Sequence, residues 1–240
     1  MRDATRGHAA AQAGAGAAAA AAARTGASTG AGSAGGLNAV TGPDAVAGPD
    51  GLYATPPPWD IGRPQPALLA LARSGELRGR VLDVGCGTGE HALMAAESGL
   101  VATGVDLAAA ALAAAVRKGR ERGLAVRFLP YDVRELGALG EEFDTVLDSL
   151  VFHGFQGPDR ARYVAGLRAV TVPGGRCFLL SFRDEPPNRS GRVHRVTPDE
   201  IRSAFADGWR VDSVDPVTVD SSLPALTDGI RGWRTSLTRL

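Results

Sequence analysis

Three glycines at 85, 87 and 89 lie between an apolar run and a helix-like one in Val81-Leu82-Asp83-Val84-Gly85-Cys86-Gly87-Thr88-Gly89-Glu90. Glycines so placed let the backbone bend sharply and approach a ligand at a helix N-terminus. A dinucleotide loop spaces its glycines G-x-G-x-x-G; here the third comes two residues after the second. Asp83, two residues before the first glycine, separates the readings further. A carboxylate there opposes a pyrophosphate but suits a ligand carrying an ammonium group. Asp106 follows Gly89 by 17 residues and ends the next apolar run, where a carboxylate can accept hydrogen bonds from both hydroxyls of a ribose. Asp132 closes a third run, within reach of an adenine edge. His153 follows a fourth run, where an imidazole serves as general base, as an orienting partner, or as packing. Asp148 either orients His153 or caps the strand end. Tyr53, Trp59, Phe152 and Phe155 are candidates to line an acceptor pocket, because an aromatic face tolerates a cation. Ordinary core burial is the alternative for each. His91 is expected to pack beside the ligand, and Cys86 to pack within the glycine turn. His194, Arg192 and Arg195 lie on a loop that is either solvated or covers the pocket.

Alternating strand and helix patterns position these groups. Residues 80–84, 101–106, 125–132, 143–150 and 177–182 read as strands, followed by 209–217 and 232–240. Helices are expected over 64–75, 91–97, 108–122 and from Pro158 to about Val170. Another starts at Thr197-Pro198-Asp199-Glu200, which has the form of a capping box with proline at the first helical position. Arg117, Lys118, Arg120 and Arg122 read as a solvated helix end that complements the helix dipole. The alternation predicts an α/β fold, a mostly parallel sheet with helices on both faces, whose ligands sit at the carboxyl ends of the strands.

Residues 1–36 contain 16 Ala and 8 Gly and no Leu, Ile, Val or aromatic side chain. That segment has too little to bury to offset its ordering entropy, so disorder is expected for it, with 37–51 as linker and 52–240 as the globular domain. The 26 basic and 26 acidic residues cancel, which argues against nucleic acid or an anionic membrane as the main partner. No stretch has the roughly 20 strongly apolar residues of a membrane span. Two cysteines, Cys86 and Cys177, make neither a disulfide framework nor a zinc site, so no metal is expected and a reducing cytoplasmic setting is.

The D-x-G-x-G-x-G loop with its spaced acids resembles the S-adenosylmethionine site of class I methyltransferases, over about residues 53–240. The resemblance implies a Rossmann-like seven-stranded sheet with an antiparallel last strand. It implies that Asp83 and the Gly85-Cys86-Gly87-Thr88-Gly89 backbone hold the methionine part. Asp106 and Leu107 would then face the ribose, Asp132 and Val133 the adenine, with Asp148 nearby. Enzymes that methylate amino groups in nucleic acid carry N/D-P-P-Y/F after the fourth strand. This chain has Asp148-Ser149-Leu150-Val151-Phe152-His153 there, so a small-molecule acceptor is expected.

The run Pro58-Trp59-Asp60-Ile61-Gly62-Arg63-Pro64-Gln65-Pro66 resembles the amino-terminal lid of thiopurine, thiol and halide methyltransferases. Together with D-S-x-x-F-H it is similar to actinobacterial methyltransferases of hydroxyquinolones, quinones and related heterocycles. The reading is methyl transfer from S-adenosylmethionine to oxygen or nitrogen of a small aromatic or heterocyclic acceptor, by a monomer or homodimer. Transfer to a thiol or halide, and a catalytically silent cofactor-binding protein of the same fold, remain the alternatives.

Overall fold

The computed structural model describes residues 48–183 and 195–240, which build one seven-stranded sheet flanked by helices. Strands β1 (Arg80–Val84), β2 (Val101–Asp106), β3 (Val126–Pro130), β4 (Phe143–Ser149) and β5 (Thr171–Phe182) run parallel. Strands β6 (Trp209–Val219) and β7 (Ile230–Arg239) form an antiparallel pair. The chain passes β6 to the edge and inserts β7 beside β5, giving the order β3-β2-β1-β4-β5-β7-β6 with β7 antiparallel to both neighbours.

Helices are α1 (Gly48–Gly51), α2 (Pro66–Arg73), α3 (Glu90–Glu97), α4 (Ala109–Glu121), α5 (Gly157–Val170) and α6 (Pro198–Ala204). Alternate side chains along a strand face opposite sides of a sheet, and the central strands are apolar on both. Val81, Leu147 and Phe178 pack with Leu68 and Leu71 of α2 and with α3. Their neighbours Leu82, Val146 and Leu179 pack with Tyr163 and Leu167 of α5 and Ile201 of α6 on the other face. The capping box is present: Glu200 N–H donates to Thr197 Oγ1, and Thr197 N–H to Glu200 Oε2.

Three of the boundaries that differ from the sequence expectation have a visible physical cause. Residues 48–51, expected as linker, form a helical turn, and the Ala110 N–H donates to Asp50 Oδ1 at 3.0 Å. Helix α4 lacks a side-chain cap of its own, so Asp50 satisfies one of its orphan N-terminal donors from a distance. Strand β3 stops at Pro130 rather than 132, where proline has no N–H to continue the ladder. Strand β5 starts at Thr171 and contains Pro173-Gly174-Gly175. Its register to β4 jumps from Phe143↔Thr171 to Thr145↔Arg176, so the strand expected from 177 begins earlier, with an irregularity inside it.

Strand β1 lies between β2 and β4, where the winding of the chain reverses. The crevice at the carboxyl ends of these strands is the expected ligand position in an open α/β sheet.

Candidate active site

A cavity of about 200 Å³ opens at that crevice. Its floor is Gly85, Cys86, Gly87 and Thr88, and Asp106, Leu107 and Val133 border it. Asp106 Oδ2 accepts from Gly87 N–H and Oδ1 from Ala108 N–H, each at 2.8 Å, which ties the glycine loop to the start of α4. Burial pushes the Asp106 carboxyl upward against those stabilising bonds. Gly87 has φ +53°, and a Cβ there would lie 2.6 Å from Tyr53 Oη. Only glycine lets the tyrosine sit that close over the loop.

Asp83 is buried beneath the loop and does not line the cavity. Its Oδ2 accepts from Ala92 N–H at 3.0 Å, while Oδ1 has no partner among the described residues. Desolvation pushes Asp83 up to about 8. Asp132 also stands off the cavity: its carboxylate caps the 3-10 turn Val133–Ala138 and grips Arg134, which holds it below the usual carboxylate range. Tyr131 and Val133, its neighbours in sequence, supply the wall instead.

His153, Phe182, Trp59 and Ile61 also line the cavity. The His153 ring is 4.7 Å from that of Phe182, centroid to centroid, and is 5% exposed. Phe152 and Phe155, expected in the pocket, belong to the core. Phe152 packs on Phe205 at 5.3 Å and Phe155 stacks on Tyr163 at 4.7 Å. Residues 152–154 form a 3-10 turn, in which positions i and i+3 eclipse. Both phenylalanines therefore point inward, while His153 between them borders the cavity.

Asp148 is fully buried. Oδ1 accepts from Val151 N–H at 2.8 Å; Oδ2 accepts from Phe152 N–H at 3.0 Å and from the Tyr163 hydroxyl at 2.8 Å. Burial pushes it up to about 7 against those donors. Its hydrogen bonds thus serve the backbone that carries His153, and it does not border the cavity. Between them Leu150 has φ +70°, the only positive φ at a non-glycine among the described residues. That conformation costs about 1–2 kcal/mol, and such strain persists only where the surroundings impose it.

The segment before α2 closes the cavity from above. Trp59 lies beside the Tyr53 hydroxyl, and Asp60 accepts from the Thr88 hydroxyl at 3.0 Å. Burial, with Asp106 nearby, pushes the Tyr53 hydroxyl up. Gln65 pairs its amide with the Asp220 backbone, and its N–H donates to His91 Nε2 at 3.1 Å. His91 accepts that bond, and burial pushes it down to about 4, so it is a neutral packing residue at the cavity wall.

Sequence reasoning missed Gln65, Tyr131, Glu90 and Phe182 in the lining. Phe182 was findable as the last residue of a central strand. The expected solvated helix end is half wrong: Lys118 and Arg122 reach inward to Glu90 Oε1 at 2.8 and 2.9 Å. Lys118 also donates to Thr88 Oγ1 at 2.8 Å, bracing the loop. Arg195 donates to the Arg183 carbonyl, whereas Arg192 and His194 fall outside the described residues. The described residues hold no cluster of three or more potential metal ligands.

Residues 81–175 match the family described as a methyltransferase domain. Over 179 residues the chain is 35% identical to the 2-heptyl-1-hydroxyquinolin-4(1H)-one methyltransferase of Mycobacteroides abscessus, covering 73% of this chain and 78% of that one. The chain belongs to the S-adenosylmethionine-dependent methyltransferases. A solved structure described as the conversion of a disulfide bond into a thioacetal group during echinomycin biosynthesis matches this methyltransferase at TM-score 0.72 and 33% identity, covering 79% of this chain and 89% of that one. The fold is also that of the magnesium protoporphyrin IX methyltransferase of Synechocystis, at TM-score 0.56 and 21% identity, over 72% and 76% of the two chains.

The cavity fits the cofactor of the family. A carboxylate borders it at Asp106, a glycine cradle would be filled by any Cβ at 87, and an orphaned acid oxygen lies buried beneath the loop at Asp83.

Proposed function

We propose that this methyltransferase acts on oxygen or nitrogen of a small aromatic or heterocyclic acceptor. One observation carries the reading: the same cavity is lined by the glycine loop and Asp106 and by Trp59, Ile61, Phe182 and His153. In this reading the Gly85–Gly89 backbone holds the methionine part, with Asp83 bracing the start of α3 beneath it through Ala92 N–H, Asp106 and Leu107 face the ribose, and Val133 the adenine. The bound cofactor supplies an electrophilic methyl on a sulfonium centre.

Methyl transfer is an in-line displacement, so the protein's task is alignment of the acceptor and exclusion of water. Trp59 and Phe182 flank a flat acceptor, and Tyr53 and Gln65 keep the segment above it closed. His153 accepts the proton that a neutral hydroxyl or ring N–H must lose. The hydroxyquinolone methyltransferase at 35% identity supports an acceptor of this class. A second reading, transfer to sulfur, is favoured by the relative named for disulfide-to-thioacetal conversion, and it needs no base.

The balanced charge supports a free small molecule rather than nucleic acid as acceptor. The reading places the enzyme in the cytoplasm, as a monomer or homodimer; no helix among the described residues is long and apolar enough to cross a membrane.

Turnover of hydroxylated heterocycles, thiols and iodide with labelled cofactor separates the two readings. Under the first, His153→Ala lowers kcat by about 10²–10⁴-fold, more for acceptors of higher pKa, with cofactor affinity unchanged. Equal turnover of variant and wild type on every heterocycle defeats the base assignment. Cofactor binding without turnover of any acceptor defeats the enzyme reading.

A further inference from the structure

The turn between β4 and α5 is held in a conformation its own residues do not favour. Leu150 adopts φ +70°, and three fastenings keep it there. Its N–H donates to the Leu180 carbonyl at 2.9 Å. The next two N–H groups, of Val151 and Phe152, donate to the buried Asp148 carboxylate. Tyr163, from the middle of α5, donates its hydroxyl to the same carboxylate, and its ring stacks on Phe155 at the far end of the turn.

The elbow touches both halves of the cavity. A Cβ on Gly85 would lie 2.5 Å from Val151 Cγ2, so Val151 is seated on the glycine loop. Two residues later the same turn presents His153 to Phe182 and the cavity. A small rotation at Leu150 would move the imidazole relative to the loop.

We infer that Asp148 and Tyr163 form a buried clamp that holds the Leu150 elbow and thereby sets the position of His153 against the acceptor. Both are positioning residues, since neither borders the cavity and each acts through the backbone of 150–153. The clamp explains why a carboxylate is spent where no ligand reaches it: three donors from two elements must converge at one point, and an amide offers a single acceptor oxygen where the carboxylate offers two. This inference rests on the reading of His153 as the proton acceptor.

A double-mutant cycle on the full chain tests it. Tyr163→Phe keeps the ring and its stacking and removes one hydrogen bond; Asp148→Asn perturbs the clamp more strongly. Tyr163→Phe should lower kcat on a heterocyclic acceptor by about 5- to 10-fold, the scale of one buried hydrogen bond. Affinity for S-adenosylhomocysteine, read by calorimetry, should stay within about twofold and so verify the fold. In a His153→Ala background the same substitution should cost less than about twofold, because the group it positions is gone.

Equal losses in both backgrounds would show that Tyr163 serves the fold alone and overturn the clamp. So would a Tyr163→Phe enzyme with wild-type kcat. A His153→Ala enzyme of undiminished kcat is a different result: it removes the base reading first, and the clamp's catalytic role with it. Should Asp148→Asn fail to fold, the Tyr163 cycle decides alone.

Discussion

Replacing Asp106 tests the cofactor assignment and can be sized from the structure. Its two carboxylate oxygens accept from Gly87 and Ala108 N–H at 2.8 Å each, and the residue borders the cavity. Each oxygen retains a lone pair for a ribose hydroxyl. Asp106→Ala removes those charge-assisted bonds, worth about 1.5–3 kcal/mol, which weakens binding by roughly 10- to 150-fold. It also strands two backbone donors at about 1–3 kcal/mol each, so the free protein should melt several degrees lower. Asp106→Asn keeps one acceptor oxygen. It should therefore recover part of the melting temperature while still losing affinity. Calorimetry with S-adenosylhomocysteine and with adenosine reads both, and the two ligands should lose by the same factor because they share the ribose. A folded Asp106→Asn variant with wild-type affinity would refute the ribose role and leave Asp106 as a brace for the glycine loop. A loss for S-adenosylhomocysteine without one for adenosine would move the contact to the amino-acid end.

Asp83 and Asp148 make stability depend on pH below about 8: burial raises them to about 8 and about 7 in the folded chain, whereas unfolded aspartates ionise near 4. The unfolded state has then released protons that the folded state retains, so stability falls as pH rises through this window, by about 1.4 kcal/mol per unit for each group. His91, pushed down to about 4, acts in the opposite direction only below its ordinary value near 6.5. Asp83→Asn should flatten the decline in melting temperature between about pH 5 and 8; an undiminished slope would assign the decline to other groups. Gly87→Ala puts a Cβ at φ +53° and 2.6 Å from Tyr53 Oη, and should weaken cofactor binding about 10-fold or more. Adding Tyr53→Phe should restore part of that affinity, and a Gly87→Ala variant that binds normally would show that the loop moves freely. Removing residues 1–36 should change neither melting temperature nor turnover, since that composition cannot build a core; a large loss of either would show that the segment docks on the domain.

The glycine loop at the cavity was legible in the sequence because its information is local. Glycine spacing, the acid at 83 and the acid at 106 ending the second strand are properties of a strand–turn–helix unit, and the structure borders the cavity with Gly85, Gly87 and Asp106. The parallel core was legible for the same reason, since continuous apolar strands separated by helix patterns leave few alternatives. The resemblance implied an antiparallel last strand but not its insertion between β5 and β6, because strand order is a property of long-range pairing.

The His153 side of the cavity depended on tertiary structure. Phe152, His153 and Phe155 lie within four residues, and nothing in their order says which of them turns inward. The Leu150 elbow and the 3-10 turn decide it, and both are held by Asp148, Tyr163 and Leu180 from elsewhere in the chain. Asp132 shows the same limit. It was expected to end the third strand, which instead stops at Pro130, and Arg134 two residues on draws its carboxylate aside and leaves the wall to Tyr131 and Val133. Where a backbone turn is made by its own residues the sequence specifies it; where distant side chains impose the turn, only the packed chain says which way a side chain points.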